Sequence, residues 1–472
     1  MSFSDSFESD ESSGEKSGTH DEEEEDHLDQ KDTSSSVWSD DASMLSSEYG
    51  SEGTLESGYQ KGSPEDRLHM TQKYAKKFTA KNKVNLAMTE WIRCTALARL
   101  VYGDGHWKLA HSHASLGQAY LELRELAPQA EHHATLAKNM LLKEAHSTNS
   151  TEDKAGLLLA LITTYYTLGR ACTILKKYPQ AEQNLAKAER SCEERRKLYN
   201  QNDLDIKVTL ALARLCASQG RHSPGFTYFE KALKLIEEDS GSGSSQLVPV
   251  YQDMGRLEQS KKDKADHDRA VEYFLQAHSI ASSNSKRPQE LTGQTAHQLA
   301  LAYAKSGTSE AETAAERYLE ESLGTYSVVH GEHHTNSIEV QEELCKLLIR
   351  TQRTDEAIEL LKCIISAKCT VYGELSEEVG ESYKLYGSLL MSQGNLDKSL
   401  TYFKKCHGIK CNLYGSQHRK TQAIQSTIDM LLQSPLLAAK EGKSKSAQLK
   451  ARPRFTSTVG RSSPRTSNPI DY

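Results

Sequence analysis

Apolar residues between positions 64 and 433 recur at helical spacing almost without a break. No stretch there alternates with the period of two that a half-buried strand needs, and Pro is rare. The pattern predicts helices throughout, and these helices repeat. A small residue is followed twelve or more positions on by a second small residue. A large apolar residue comes four later and a small one three after that. If the first is numbered 8 within its repeat, the set falls at 8, 20, 24 and 27. The first two small positions let paired helices approach closely. The large residue fills the gap between them, and the last small one admits the next pair.

The set recurs eight times: Ala75, Ala87, Trp91, Cys94; Gly117, Ala130, Ala134, Ala137; Gly169, Ala181, Leu185, Ala188; Ala213, Gly225, Phe229, Ala232; Gly255, Ala270, Phe274, Ala277; Ala300, Ala315, Leu319, Ser322; Cys345, Ala357, Leu361, Ile364; and Gly387, Ser399, Phe403, Cys406. Ala134 breaks the rule at position 24, and Ile364 breaks it at 27. The step from 8 to 20 is twelve in five repeats, thirteen in the second and fifteen in the fifth and sixth. Lengthened turns are expected at Lys262 to Asp268 and Gly307 to Thr313. The period is 42–45 residues over most of the array, with one step of 51 that contains the polar stretch His146 to Asp153. A second marker keeps the same register: Val101-Tyr102-Gly103, Val329-His330-Gly331, Val371-Tyr372-Gly373 and Leu413-Tyr414-Gly415, with His106, His334 and His418 at a fixed offset. Gly just after an apolar-periodic run ends a helix, so each repeat should end there, turn and restart. Gln422, Gln425 and Ser426 suit a polar capping helix near Gln422 to Leu432.

Charge separates this body from its ends. Residues 1–65 carry 19 acids against 3 bases, and residues 436–472 carry 8 bases against 2 acids. Taking these −16 and +6 from the net −7 leaves the middle near +3, so the body is no basic nucleic-acid platform. Mean hydropathy is −0.65. The domains expected are an acidic, Ser-rich tail at 1–63, a helical array at 64–433 and a basic tail at 434–472. Neither tail can bury enough apolar surface to offset chain entropy, so both should be disordered. The strongly apolar runs, such as Leu157 to Ile162, are too short to span a bilayer. The acid-rich N-terminus does not resemble a secretory signal. The nine cysteines, without any C-x-x-C, read as reduced thiols, several of them small core residues.

The long repeat with its Tyr-Gly-x-x-His junction resembles the kinesin-light-chain type of tetratricopeptide repeat over roughly residues 66–433. Tyr102 to Ala110 leading into Leu116 to Leu121, together with Thr164 to Gly169 and Lys187 to Arg190, resembles the tetratricopeptide repeat protein 23 family with its "-like" paralogue. That resemblance implies no enzymatic activity. It implies a place at the base of the primary cilium, with the Ellis–van Creveld zone complex that supports hedgehog signalling.

A stacked array offers a concave face lined by the first helix of each hairpin. Positions 2, 5, 9, 12 and 13 should face it. The candidate groove residues are Tyr166 and Arg170 in the third repeat, and Lys207 and Arg214 in the fourth. Glu342, Lys346 and Arg350 follow in the seventh, and Lys384 and Met391 in the eighth. The plain alternative is an ordinary solvated face, with binding at an edge or on the convex side. A chaperone carboxylate clamp needs Lys and Asn at positions 5 and 9. Lys384 is followed by Ser388 there, so the clamp is missing.

His111, His113, His132, His133, His330, His333 and His334 lack carboxylate or thiolate partners at ligand spacing, so they read as structural or solvent-facing. Trp91 and Trp107 read as core. Trp38 amid acids fits a short linear motif as well as a chance survivor. Ser9, Ser12, Ser13, Ser63, Ser434 and Ser463 are candidate phosphorylation sites. No P-loop, dinucleotide fingerprint, nucleophile set or paired carboxylates at helical spacing with an apolar pocket are present, so no catalytic, cofactor or metal residues are expected.

The expected fold is all-α: a right-handed superhelical solenoid of about eight hairpins. The expected function is a non-catalytic scaffold for proteins, in the cytoplasm and at the ciliary base, without nucleic acid or membrane insertion. The rival is a cargo or trafficking adaptor of kinesin-light-chain style, which the absence of N-terminal heptads disfavours.

Overall fold

The computed structural model describes residues 62–143, 150–198, 203–261, 266–283 and 289–434. The expectations for the tails, including Trp38, Ser9, Ser12, Ser13 and Ser463, lie outside these residues. Among the described residues there are seventeen helices and no strand. They form eight hairpins: α1 (Pro64–Ala80) with α2 (Val84–Tyr102), α3 (Trp107–Leu123) with α4 (Ala127–Lys143), α5 (Thr151–Ile174) with α6 (Tyr178–Arg196), and α7 (Asp203–Ser218) with α8 (His222–Ser240). The others are α9 (Leu247–Gln259) with α10 (His267–Ser283), α11 (Glu290–Ser306) with α12 (Ser309–Val329), α13 (Thr335–Arg350) with α14 (Thr354–Tyr372), and α15 (Glu377–Ser392) with α16 (Leu396–Tyr414). A last helix, α17 (Arg419–Leu432), covers the end. It starts three residues before the expected Gln422, and Gln422, Gln425 and Ser426 are exposed on it.

The repeat signature is the core. Every residue at positions 8, 20, 24 and 27 is buried except Trp91, which is half-buried and donates its indole N–H to Thr79 Oγ1 at 3.1 Å. Position 8 is small because position 24 of its partner helix lies on it. A Cβ added to Gly169 would stand 2.5 Å from Leu185, and one on Gly255 would stand 2.7 Å from Phe274. The exception at Ala134 has a reason of the same kind. A Cβ on Gly117 would meet the Ala130 carbonyl oxygen at 3.0 Å, so α3 and α4 approach backbone to backbone. No large residue is needed between them.

In six of the eight hairpins the turn is set by one residue, seven after position 8; in the second the left-handed residue is Glu125, eight after it. The six, Asn82, Lys176, Gly220, Gly307, Gln352 and Gly394, all have positive φ. All five repeats with the twelve-residue step are among them, since one left-handed residue reverses the chain in the shortest turn. Gly307 shows that the sixth repeat has no lengthened turn. Thr308 caps α12 by accepting from Ala311 N at 3.3 Å, and the extra residues join the helix from Ser309 onward. A lengthened connection does separate α9 from α10, where residues 262–265 lie outside the described set.

The basic residue that follows this turn replaces an ordinary helix cap. Lys177, Arg221 and Arg353 start α6, α8 and α14 without any side-chain cap bond. Each instead reaches the acid just after position 20 of the preceding repeat: Glu131 at 2.7 Å, Glu182 at 3.2 Å and Glu316 at 2.6 Å.

The junction between hairpins shows what the Tyr-Gly-x-x-His marker does. Gly103, Gly373 and Gly415 end their helices at φ near +80° with extended ψ, a region open to glycine alone. The chain turns and His106, His334 and His418 cap the next helix, each Nδ1 accepting from the backbone two residues on at 3.1–3.2 Å. His106 and His418 also stack on Tyr102 and Tyr414 of the helix just ended, with centroids 5.1 and 4.8 Å apart. Ser376 takes the role at the one of the four marker junctions without His, accepting from Val379 N.

The 51-residue step is taken up partly by α5, which has 24 residues. It is long and apolar enough to span a bilayer by length and composition, which corrects the expectation from its short apolar runs. However, 67% of its most apolar 18-residue window is buried between neighbouring helices, as befits a core helix. Trp107 packs on it at Gly156, where a Cβ would be only 2.3 Å from the indole.

Candidate partner-binding surface

First helices touch the first helices of adjoining repeats, α3 with α5, α5 with α7, α7 with α9 and α11 with α13. Second helices pack chiefly on first helices. An array whose first helices are closer together curves toward them, so they line its inner face.

The structure separates the candidate groove residues by what they touch. Tyr166 is buried in the third-repeat core at 7% exposure and accepts from Arg170 Nη1 at 3.2 Å. It is a packing residue, which corrects its place in an open groove. Arg214 is held by Asp253 of the next repeat at 2.7 Å, and Arg350 by Glu312 of the preceding one at 2.7 Å. Lys346 pairs with Glu343 at 2.6 Å and Lys384 with Glu381 at 3.5 Å. Lys207 is exposed with no ion pair among the described residues, Arg170 is half-exposed, and Met391 is 40% exposed. The groove thus keeps Arg170, Lys207 and Met391 as accessible positions, and most of its other charges bind one repeat to its neighbour or lie along one helix.

Glu342 has a different task from the one expected. It takes the ammonium of Lys368, which also donates to Ser382 Oγ at 3.1 Å. Lys368 lies on α14 and its side chain is 7% exposed. One period later Lys410 on α16 is 3% exposed and donates to Glu381 Oε1 at 2.5 Å. Burial raises the Glu381 carboxyl, but the bond from Lys410 and the nearby Lys384 outweigh this and hold it below its ordinary value. These two buried lysines were missed, because a Lys on a helix looks the same in sequence whether it faces water or a neighbouring hairpin.

The described residues hold no group of three potential metal ligands. His113 and His133 face each other across α3 and α4, their Nδ1 atoms 3.4 Å apart, and His133 stacks on Tyr120. Burial pushes both imidazoles down to about 4, so they are neutral core groups at ordinary pH. The cysteines are all free thiols. Burial pushes Cys94 and Cys192 up to about 12, which leaves them unreactive. Ser63 caps α1, accepting from Asp66 N at 3.2 Å.

One surface was not anticipated. Val329, Val371 and Leu413, spaced one period apart at the ends of α12, α14 and α16, are 38%, 41% and 47% exposed. Val328, Tyr372 and Leu375 beside them are 71%, 38% and 60% exposed. The signal was in the marker itself, where an apolar residue precedes each Tyr-Gly or His-Gly.

Repeated hairpins, an inner face of linked helices and an apolar edge define a tetratricopeptide-repeat solenoid, a class that holds other proteins. The tetratricopeptide repeat profile matches residues 380–410, beginning at position 1 of the register that places Gly387 at position 8. The human tetratricopeptide repeat protein 23 is 32% identical over 394 residues, spanning 82% of this chain and 86% of that protein. The mouse tetratricopeptide repeat protein 23-like is 34% identical over 373 residues, 78% of this chain and 80% of that one. Among solved structures, the apo form of RapI covers 77% of this chain and 97% of its own at 11% identity and a TM-score of 0.48. The apo form of the quorum sensor NprR from B. thuringiensis covers 78% and 98% at 12% identity and a TM-score of 0.45. The chain belongs to the tetratricopeptide repeat protein 23 family.

Proposed function

We propose that this protein is a non-catalytic scaffold at the base of the primary cilium, in a complex that supports hedgehog signalling. The observation that carries this reading is the family relationship, which extends over about four-fifths of the chain. The partners are proteins, with components of the Ellis–van Creveld zone complex as the set that the family resemblance implies. A scaffold role suits a surface whose inner face keeps Arg170, Lys207 and Met391 accessible and whose edge leaves Val329, Val371 and Leu413 open. A cargo adaptor of kinesin-light-chain style is the second reading, favoured by the Tyr-Gly-x-x-His junctions.

The test is the position of the tagged full-length protein in ciliated cells beside a ciliary base marker. Confinement to the proximal cilium supports the first reading. A diffuse or microtubule-track signal removes it and leaves the adaptor.

A further inference from the structure

The first hairpin carries a charge pattern unlike any other part of the array. Lys73, Lys76 and Lys77 on α1 and Lys81 and Lys83 around its turn to α2 are all exposed. Their spacing of three and four residues sets Lys73, Lys77 and Lys81 in one row along the helix, with Lys76 beside it. None of the five side chains has an ion pair or hydrogen bond among the described residues, although Lys77 lies 6.0 Å from the centre of the Tyr74 ring. The nearby acids stand elsewhere: Glu65 and Asp66 occupy the first turn of α1, and Asp66 is held by the Ser63 cap.

Two ordinary causes do not account for this. A basic residue near a helix C-terminus complements the helix dipole, which explains one lysine and not five. The end of a solenoid needs a polar outer face, but it does not need one sign of charge. The opposite cap shows as much. On α17, Lys420 is paired with Glu377 and Gln425 with Asp429. Like charges set three and four apart repel, so a row of unpaired lysines is matched to an anion from outside the folded array.

We infer that this patch is the docking site of the chain's own acidic N-terminal segment, residues 1–61. The segment carries 18 acids against 3 bases and leads directly into α1. Its densest run, Asp21 to Asp26, is joined to the patch by a length of chain that spans up to about 120 Å when extended, so it can reach every one of the five lysines. The tether gives an effective concentration on the order of millimolar, which is enough for a contact between exposed charges.

The test is carbodiimide zero-length crosslinking of the dilute full-length chain, with peptides mapped from the monomer band. Scattering at low and high salt is measured in parallel. Bonds should join acids of the N-terminal segment to Lys73, Lys76, Lys77, Lys81 or Lys83, and should fall at least tenfold in 1 M salt. The radius of gyration should rise with salt. A variant with all five lysines changed to Gln should have the larger radius already at low salt, with an unchanged helical spectrum. Crosslinks spread equally over Lys398, Lys404 and Lys405 of α16, crosslinks confined to dimers, or a radius that responds to neither salt nor the variant would overturn the docking site.

Discussion

The two ends of the array use lysine in opposite ways. In the first hairpin five exposed lysines have no ion pair among the described residues. In the seventh and eighth repeats Lys368 and Lys410 are withdrawn between hairpins, each against a glutamate of a facing first helix. A lysine can be buried only where a carboxylate and further acceptors arrive from the next element, because desolvation of an unpaired ammonium costs several kcal/mol. None of the five first-hairpin lysines has such a carboxylate within reach among the described residues. The groups on the facing helices, not the residue type, decide whether the charge is drawn into the array or faces outward.

The largest expected effect tests the buried end. Glu342→Ala strands the Lys368 ammonium on Ser382 and the Glu378 carbonyl. It should destabilise the C-terminal repeats by about 3 kcal/mol, read as a lower urea midpoint and faster amide exchange in α13 to α15. Lys368→Met, which removes the charge and keeps the stem, should cost under about 1 kcal/mol. If both variants match the parent, the lysine escapes to water and the contrast between the ends is lost.

Acid should distinguish the ends next. The His113 and His133 imidazoles of repeat two protonate near 4 when folded and near 6.5 when unfolded. The unfolded chain therefore binds more protons between those values. Stability is full above about 6.5 and is lost as pH falls toward 4, by on the order of 3 kcal/mol for each imidazole. The pair of variants His113→Gln and His133→Gln should flatten this slope in amide exchange of α3 and α4, and a slope that persists would place the acid sensitivity elsewhere.

A smaller effect should be equal at both ends. His106→Ala and His418→Ala each remove a helix cap of the same geometry, worth about 1 kcal/mol. Unequal melting shifts would show that stacking on the neighbouring tyrosine, not the cap, carries the contribution. Smallest of all, changing the five lysines of the first hairpin to Gln should move stability by less than about 0.5 kcal/mol, since exposed charges contribute little to folding. A large loss would mean that the lysines pack against the array.

Much of this architecture was legible along the chain. Small residues at positions 8 and 20 with a large one at 24 identify where two helices must touch, and contact of that kind leaves few residue types available. Gly103, Gly373 and Gly415 marked their junctions because only glycine adopts that backbone. The tethered His was visible as a recurrence, yet its role as a cap was not, since His is rarely chosen for that position. The expected groove was harder to read. Helical spacing correctly put Glu342, Lys346, Arg350 and Arg214 on first helices, but spacing cannot show that Lys368, Asp253 or Glu312 of another helix will reach them.

The amino-acid pattern alone therefore determined the helices, the number of hairpins and the register, because each depends on contacts within about one repeat. Which charges are spent inside the stack, which apolar residues stay at its edge and which lysines remain open was decided only by the tertiary structure. Those outcomes depend on where the facing helices sit and on which side chains they bring.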